Sequence, residues 1–211
     1  MAQLKTLALS KGQTKAELKA FKALLDGPGK GDLREAHDLL PFFDANEHLC
    51  ALMGTYNPNI VDYKNIHIAR EFSIFGDHKA DLVIGDTKNS QFCFIEFEDA
   101  KETSTFDTAT AKSTPDWSTR YEHGFSQLID WILWIENNGG NTAYKGRFKS
   151  ASIQFNMLLV IGRDRDLSTP ALRERFDWRS DFVVVASKKV HCITYDKLYL
   201  DLSTRLKIFS G

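Results

Sequence analysis

The run IQFNMLLVIG, residues 153–162, is apolar at nearly every position and constrains the fold more than any other stretch. A strand that alternates apolar with polar residues needs cover on one face, whereas one that does not alternate needs cover on both, as in sheets sheathed by helices. Residues 65–98 agree with such a sheet. They hold three shorter strand-like segments, NIHIAREFSIF, KADLVIGD and QFCFIEFE, joined by GDH and DTKNS, which predict a three-strand meander. In the first, the alternation through Ile66 and Ile68 slips before Phe72 and Ile74. Helical spacing marks TKAELKAFKALL (14–25), which DGPGKGD then ends, and a stretch over 32–53 interrupted near Pro41, with Asp44 as a candidate N-cap. It also marks WSTRYEHGFSQLIDWILWIE (117–136), with Tyr121, Phe125, Leu128, Ile132 and Ile135 in one stripe, and then TPALRERF and DKLYLDLSTRLKIF. Thr169 before Pro170 supplies a cap and a first-turn proline. DFVVVA and VHCITY predict a last pair of strands, and the Thr- and Ser-rich residues 101–116 a mobile loop. The expected class is therefore α/β: a mixed sheet of meander, crossover helix and further strands, flanked by helices. Residues 1–40 read as a helical appendage ahead of a domain over 41–211.

Bulk properties narrow the partners. Twenty-seven basic and 28 acidic side chains exclude a uniformly polycationic nucleic-acid binder, so any anionic partner must meet a local patch. Cys50, Cys93 and Cys192 are odd in number and far apart, which fits reduced buried thiols rather than a disulfide framework or a cysteine zinc site. No apolar run has the length of a membrane span and the first residues make a poor secretion signal, so a soluble cytoplasmic protein is expected.

The segment FIEFEDAK, 94–101, raises the chemical question. Glu96 and Glu98 lie two apart in an apolar strand and so share a face, and the preceding strand carries Asp81 within pairing distance of them. Three such charges repel one another and are costly to desolvate. A divalent cation removes both penalties, and an all-oxygen ligand set suits Mg2+ or Mn2+ rather than zinc. Charge is segregated along the chain. Residues 77–107 carry eight acids and three lysines, residues 145–189 ten basic side chains and five acids, as expected of an acidic centre beside a phosphate-binding rim. Lys101, Arg163, Arg173, Arg175 and Arg179 are the candidate nucleic-acid contacts.

In order and spacing these residues resemble the PD-(D/E)xK nuclease superfamily, whose signature is an acid on one strand and acid-x-lysine on the next. Asp81 matches the first acid and Glu96 the second. Over about residues 45–205 the chain looks like the Shedu nuclease domain of prokaryotic anti-phage defence. That likeness runs through the early helix with Glu47, ADLVIGD, FIEFEDAK, Gln127 four residues before Trp131, LLVIGR and ITYDKLYLDL. The resemblance implies a restriction-endonuclease-like fold and metal-dependent hydrolysis of DNA. It implies Asp81, Glu96 and the Phe97 carbonyl around Mg2+ or Mn2+, Glu98 acting on the water, and Gln127 positioning the helix or the phosphate. By analogy it also implies a homo-oligomer. One departure stands out: the signature lysine is replaced by Glu98, either a base or a ligand to a second ion, with Lys79 or Lys101 as substitute cations. The alternative is a catalytically silent relative serving DNA binding or protein assembly.

Each residue has a plainer reading. Glu98 and Asp99 read as solvated edge residues, Asp81 as an acid paired with Lys79, and Gln127 and Glu47 as helix-surface groups. His78 and His123 read as structural or solvent-facing, and Trp131 and Trp134 as core.

Overall fold

The computed structural model describes residues 3–27, 32–76, 78–108, 112 and 114–208. In chain order its strands are β1 (Lys5–Leu7), β2 (Ile66–Ser73), β3 (Lys79–Asp86), β4 (Gln91–Phe97), β5 (Phe106–Asp107), β6 (Asp116–Trp117), β7 (Gln154–Val160), β8 (Val184–Val185) and β9 (Lys188–Ile193). Its helices are α1 (Lys11–Asp26), α2 (Leu40–Ala45), α3 (Glu47–Leu52), α4 (Thr119–Asn137), α5 (Thr142–Phe148), α6 (Pro170–Phe182) and α7 (Tyr195–Ile208).

Seven strands form one mixed sheet in the order β1-β2-β3-β4-β7-β9-β8. β2, β3 and β4 are the expected antiparallel meander, and the slip in β2 falls at Glu71, whose φ of 44° turns the chain through the left-handed region. α4 and α5 then cross over so that β7 runs parallel to β4, with Phe94 opposite Met157 and Phe97 opposite Val160. A second crossover through α6 sets β9 parallel to β7.

The central strands need two covers and have them. Met157 and Leu159 of β7 pack into one apolar cluster with Tyr121, Phe125 and Leu128 of α4, Phe148 of α5 and Phe176 of α6. Leu158 and Val160 pack into the other, with Phe21 of α1, Phe43 of α2, Leu49 of α3 and Leu198 of α7. Residues 14–25 are thus the heart of a helix that begins at Lys11, capped by Ser10, and its Leu18, Phe21 and Leu25 join the second cluster.

Several elements differ from expectation. The stretch 32–53 is broken into a π-helical turn (Glu35–Leu39), α2 and α3, followed by a 3-10 turn over Met53–Tyr56. Asp44 caps nothing; its carboxylate lies 3.5 Å from Arg70, and α3 starts from Asn46. The helix begun by Thr169 and Pro170 runs on through Asp181 and Phe182, which leaves only Val184–Val185 of DFVVVA as strand. Ala186 and Ser187, with φ of 47° and 63°, then turn β8 into β9. Of the turn at 26–32, residues 28–31 lie outside the described residues, as do 109–111 and 113 of the loop at 101–116. The rest of that loop includes the β5–β6 ribbon. Cys50, Cys93 and Cys192 are free and buried. No helix among the described residues is long and apolar enough to cross a membrane.

Gly85 shows how tightly the meander is packed: it pairs with Phe92 across β3 and β4, and a Cβ there would collide with the Phe92 ring, which is fully buried. Gly85→Ala is therefore expected to lose about 1–3 kcal/mol of stability, read as a lowered midpoint in urea with an unchanged slope.

Candidate active site

The antiparallel register pairs Leu82 with Ile95 and Val83 with Phe94; carried one residue on, it sets Asp81 opposite Glu96. Both point toward the α4 face, Glu96 filling the position that follows Phe92 and Phe94 along β4. Asp81 Oδ2 accepts a hydrogen bond from the Phe97 amide at 2.9 Å, which stitches the two strands where the ladder ends. Glu96 is 6% exposed, and its Oε2 is buried with no hydrogen-bond partner. Such an oxygen is costly unless a proton or cation meets it.

Glu98 lies just beyond β4 but continues its course, since its amide donates to the Val160 carbonyl at 3.0 Å. Its side chain is 1% exposed, so the solvated-edge reading fails. Three groups hold it. His123 Nδ1 lies 3.1 Å from Oε1, Arg120 Nη1 lies 3.0 Å from Oε2 without hydrogen-bond geometry, and the Tyr195 hydroxyl donates to the Glu98 carbonyl at 2.7 Å. The helix can come this close because of Gly124, where a Cβ would stand 3.0 Å from the Glu98 side chain and 2.8 Å from Leu159. Arg120, His123 and Gln127 share one face of α4 at spacings of three and four residues. The Gln127 Oε1 is buried and unpartnered.

A fourth acid arrives from the π-helical turn. Glu35 accepts from Arg120 Nη1 at 3.1 Å, and its own amide donates to Asp99 Oδ1 at 2.7 Å. Arg120 Nη2 also lies 3.5 Å from Asp99. The early-helix acid near this cluster is thus Glu35, while Glu47 is a surface charge 2.9 Å from Lys5. Arg120, His123 and Glu35 were not singled out from sequence as site residues; the α4 spacing beside Gln127 was the available signal for the first two.

The predicted cations are dispersed. Lys79 pairs with Glu71 at 3.7 Å rather than with Asp81, and Lys101 pairs with Asp99 at 2.5 Å, at the edge of the cluster. Arg163 is 7% exposed; it grips Asp196 at 2.8 and 2.9 Å and donates to the Leu25 carbonyl at 3.1 Å, so it ties α1 to α7 and offers no surface contact. Arg173 donates to the Asp164 carbonyl at 3.1 Å, Arg175 to the Pro115 carbonyl at 2.8 Å, and Arg179 to both Glu122 oxygens. Trp131 is core, whereas Trp134 is 40% exposed beside His78.

Burial pushes the Asp81 carboxyl up to about 7 despite the Phe97 hydrogen bond, with the charges of Glu35 and Glu71 adding to the rise. Glu96 is also raised well above the usual carboxyl range, first by burial and then by the charges of Asp81 and Glu98. Burial also takes Glu98 to about 7, against the pull of His123 and Arg120. The pair Asp81 and Glu96 shares a hydrogen bond that favours a proton on Glu96, and a cation at that place would relieve the same cost. Among the described residues no three His, Cys, Asp or Glu side chains are gathered to hold a metal ion by themselves. A magnesium site needs only one or two carboxylates, completed by other oxygens and water, and the orphaned Glu96 oxygen beside Asp81 fits that demand.

A mixed sheet flanked by helices, with acids gathered where its central meander ends, is the restriction-endonuclease-like α/β class. Within it the chain belongs to the family described as Shedu protein SduA, C-terminal, whose pattern matches residues 32–199. That family points to anti-phage defence, and the matched span includes Glu35. No curated protein matches the chain.

The buried acids cost stability when no cation is bound. A carboxyl raised above its unfolded value near 4 stabilises the fold fully below that value, and the contribution is lost as pH rises through about 7. Asp81→Asn and Glu96→Gln in EDTA are therefore expected to melt ~4–8 °C above wild type at pH 8, for about 2 kcal/mol, with the gap narrowing toward pH 5. Millimolar Mg2+ or Mn2+ should raise the wild type alone; equal melting of all three at pH 8 would refute the strain.

Proposed function

We propose that the chain is a metal-dependent DNA endonuclease of anti-phage defence. The observation that carries this reading is the buried pair Asp81 and Glu96 with one carboxylate oxygen left unpartnered, in a chain of the Shedu family. Asp81, Glu96 and the Phe97 carbonyl would hold Mg2+ or Mn2+, which when bound supplies positive charge to the phosphate and acidifies a water.

The remaining steps belong to side chains. Glu98, whose carboxyl titrates near neutrality, accepts the proton of the attacking water at Oε2. His123, 60% exposed at its side chain and 3.1 Å from Oε1, passes that proton to solvent. Arg120, 3.0 Å from Oε2, brings the positive charge that the missing signature lysine would have brought. The Gln127 amide orients a phosphate oxygen from the same helix face. Lys101 at the edge of the cluster, with Arg173 and Arg175 further out, meets the flanking phosphates. A homo-oligomer remains part of the proposal by analogy with the family.

A second reading, a silent module that binds DNA or assembles without cutting it, is favoured by one observation: Glu98 is ion-paired with Arg120 instead of being a lysine. Nicking of supercoiled plasmid separates the two. The first predicts cutting with Mg2+ or Mn2+ and none in EDTA, a loss of at least about 100-fold in Asp81→Asn and Glu96→Gln, and a loss of roughly 10²–10⁴ in Glu98→Gln. Wild type that fails to cut with every divalent ion supplied favours the second.

A further inference from the structure

Between α4 and α6 lies a cleft of about 580 Å3 lined by Trp117, Phe125, Glu174, Arg175, Trp178 and Arg179. Of its lining the catalytic reading uses only Arg175, for a flanking phosphate. Trp178 is 58% exposed, and its neighbour Phe182, stacked 6.0 Å away at 27°, is 68% exposed. Two guanidinium groups lie over aromatic rings here, Arg175 at 5.4 Å from Trp117 and 4.8 Å from the buried Phe106 ring behind it, Arg179 at 4.4 Å from Phe125 and 4.8 Å from Trp117. Arg179 is neutralised by Glu122 at 2.7 and 2.8 Å and serves as a wall. Arg175 gives one donor to the Pro115 carbonyl and keeps the rest of its five.

From this geometry we infer that the cleft is a subsite for an unpaired nucleobase of single-stranded DNA, a substrate feature that extends the nuclease reading and rests on it. The chemistry selects this occupant. Flat aromatic and guanidinium surfaces, one of them a tryptophan open to solvent, stack any base whatever its sequence. A base still inside a duplex has both faces covered and cannot enter. Glu174 at the rim repels a bare phosphate but accepts a hydrogen bond from an exocyclic amine, so the base goes to the cleft and the adjoining phosphate to Arg175. Position agrees as well. Trp117 directly precedes the Ser118 cap of α4, and Phe125 lies on the same helix that presents Arg120, His123 and Gln127 to the acids. The cleft and the carboxylates thus lie against the same helix, α4, which a strand bound at the acids would also meet.

The test is the binding, in EDTA, of a fluorescein-labelled single-stranded dodecamer and of its blunt duplex, followed by fluorescence anisotropy. Wild type should prefer the single strand. Trp178→Ala should weaken that complex by roughly 5- to 150-fold, the worth of one stacked base, and leave the duplex unchanged, while Trp178→Phe restores it. Arg175→Gln should weaken single-strand binding and flatten its salt dependence. Unchanged single-strand binding in Trp178→Ala, or an equal loss on both probes, overturns the subsite. So does a larger species in gel filtration that Trp178→Ala converts to monomer, since the patch would then be a face between copies. Because no metal is present, binding that depends on Trp178 without plasmid nicking would sink the nuclease and keep the subsite, and nicking without such binding would do the reverse.

Discussion

Two carboxyls facing each other across the end of β3 and β4, one of them buried with an oxygen unmatched, are the constraint around which the rest of this molecule is arranged. Each acid alone would be a nuisance at a surface and a liability in a core. Placed together where an apolar strand leaves its ladder, they make a site that is stable only with a compensating positive charge. The proton that Glu96 holds so tightly is the minimal version of that charge, and a divalent ion is the version that does chemistry in the proposed reading.

The sheet makes that strain tolerable. β4 lies between β3 and β7 and is covered on both faces, so Phe92, Phe94, Ile95 and Phe97 contribute burial on either side of Glu96. Helix α4 performs two tasks with its two flanks. Tyr121, Phe125 and Leu128 bury against the sheet, while Arg120 and His123 contact Glu98. Gly124 sits between the flanks and sets their distance from the strand: a larger residue would meet Glu98 and Leu159 at once. The position of the Glu98 side chain against α4 is therefore set largely by one packing contact.

How much of this the sequence disclosed depended on whether the controlling force was local. The meander, the doubly covered β7 and the facing of Asp81 and Glu96 follow from period-two patterning and turn length, which are local, and they read correctly. The length of α6 did not, because Asp181 and Phe182 lead into three β-branched valines that signal a strand, yet the helix runs on to Phe182. Arg163 read as a surface cation because its motif gives no hint of Asp196, 33 residues away, which draws it into the interior. Glu35 was invisible for a similar reason. A π-helical turn has no propensity signature, and this one is held by the Asp99 carboxylate that accepts its first amide and by the buried Leu39.

The exchange of lysine for Glu98 is best understood as a redistribution of charge, not as a deletion. In the signature, one lysine beside two acids supplies a cation next to the metal position. Here the strand adds a third acid there, and the cation comes from Arg120 on the opposing helix, at 3.0 Å from Glu98 and 3.1 Å from Glu35. Arg120 is 43% exposed at its side chain, so solvent screens its hold on Glu98 and leaves that carboxyl near neutrality instead of fully ionised. A lysine in the strand would be a permanent donor, unable to take a proton from water. A carboxyl balanced near pH 7 by burial on one side and a half-solvated arginine on the other can take it and, through His123, return it. In the proposed nuclease reading, the substitution would place the acid–base function on the strand and the electrostatic function on the helix, and it is Gly124 that lets the two approach.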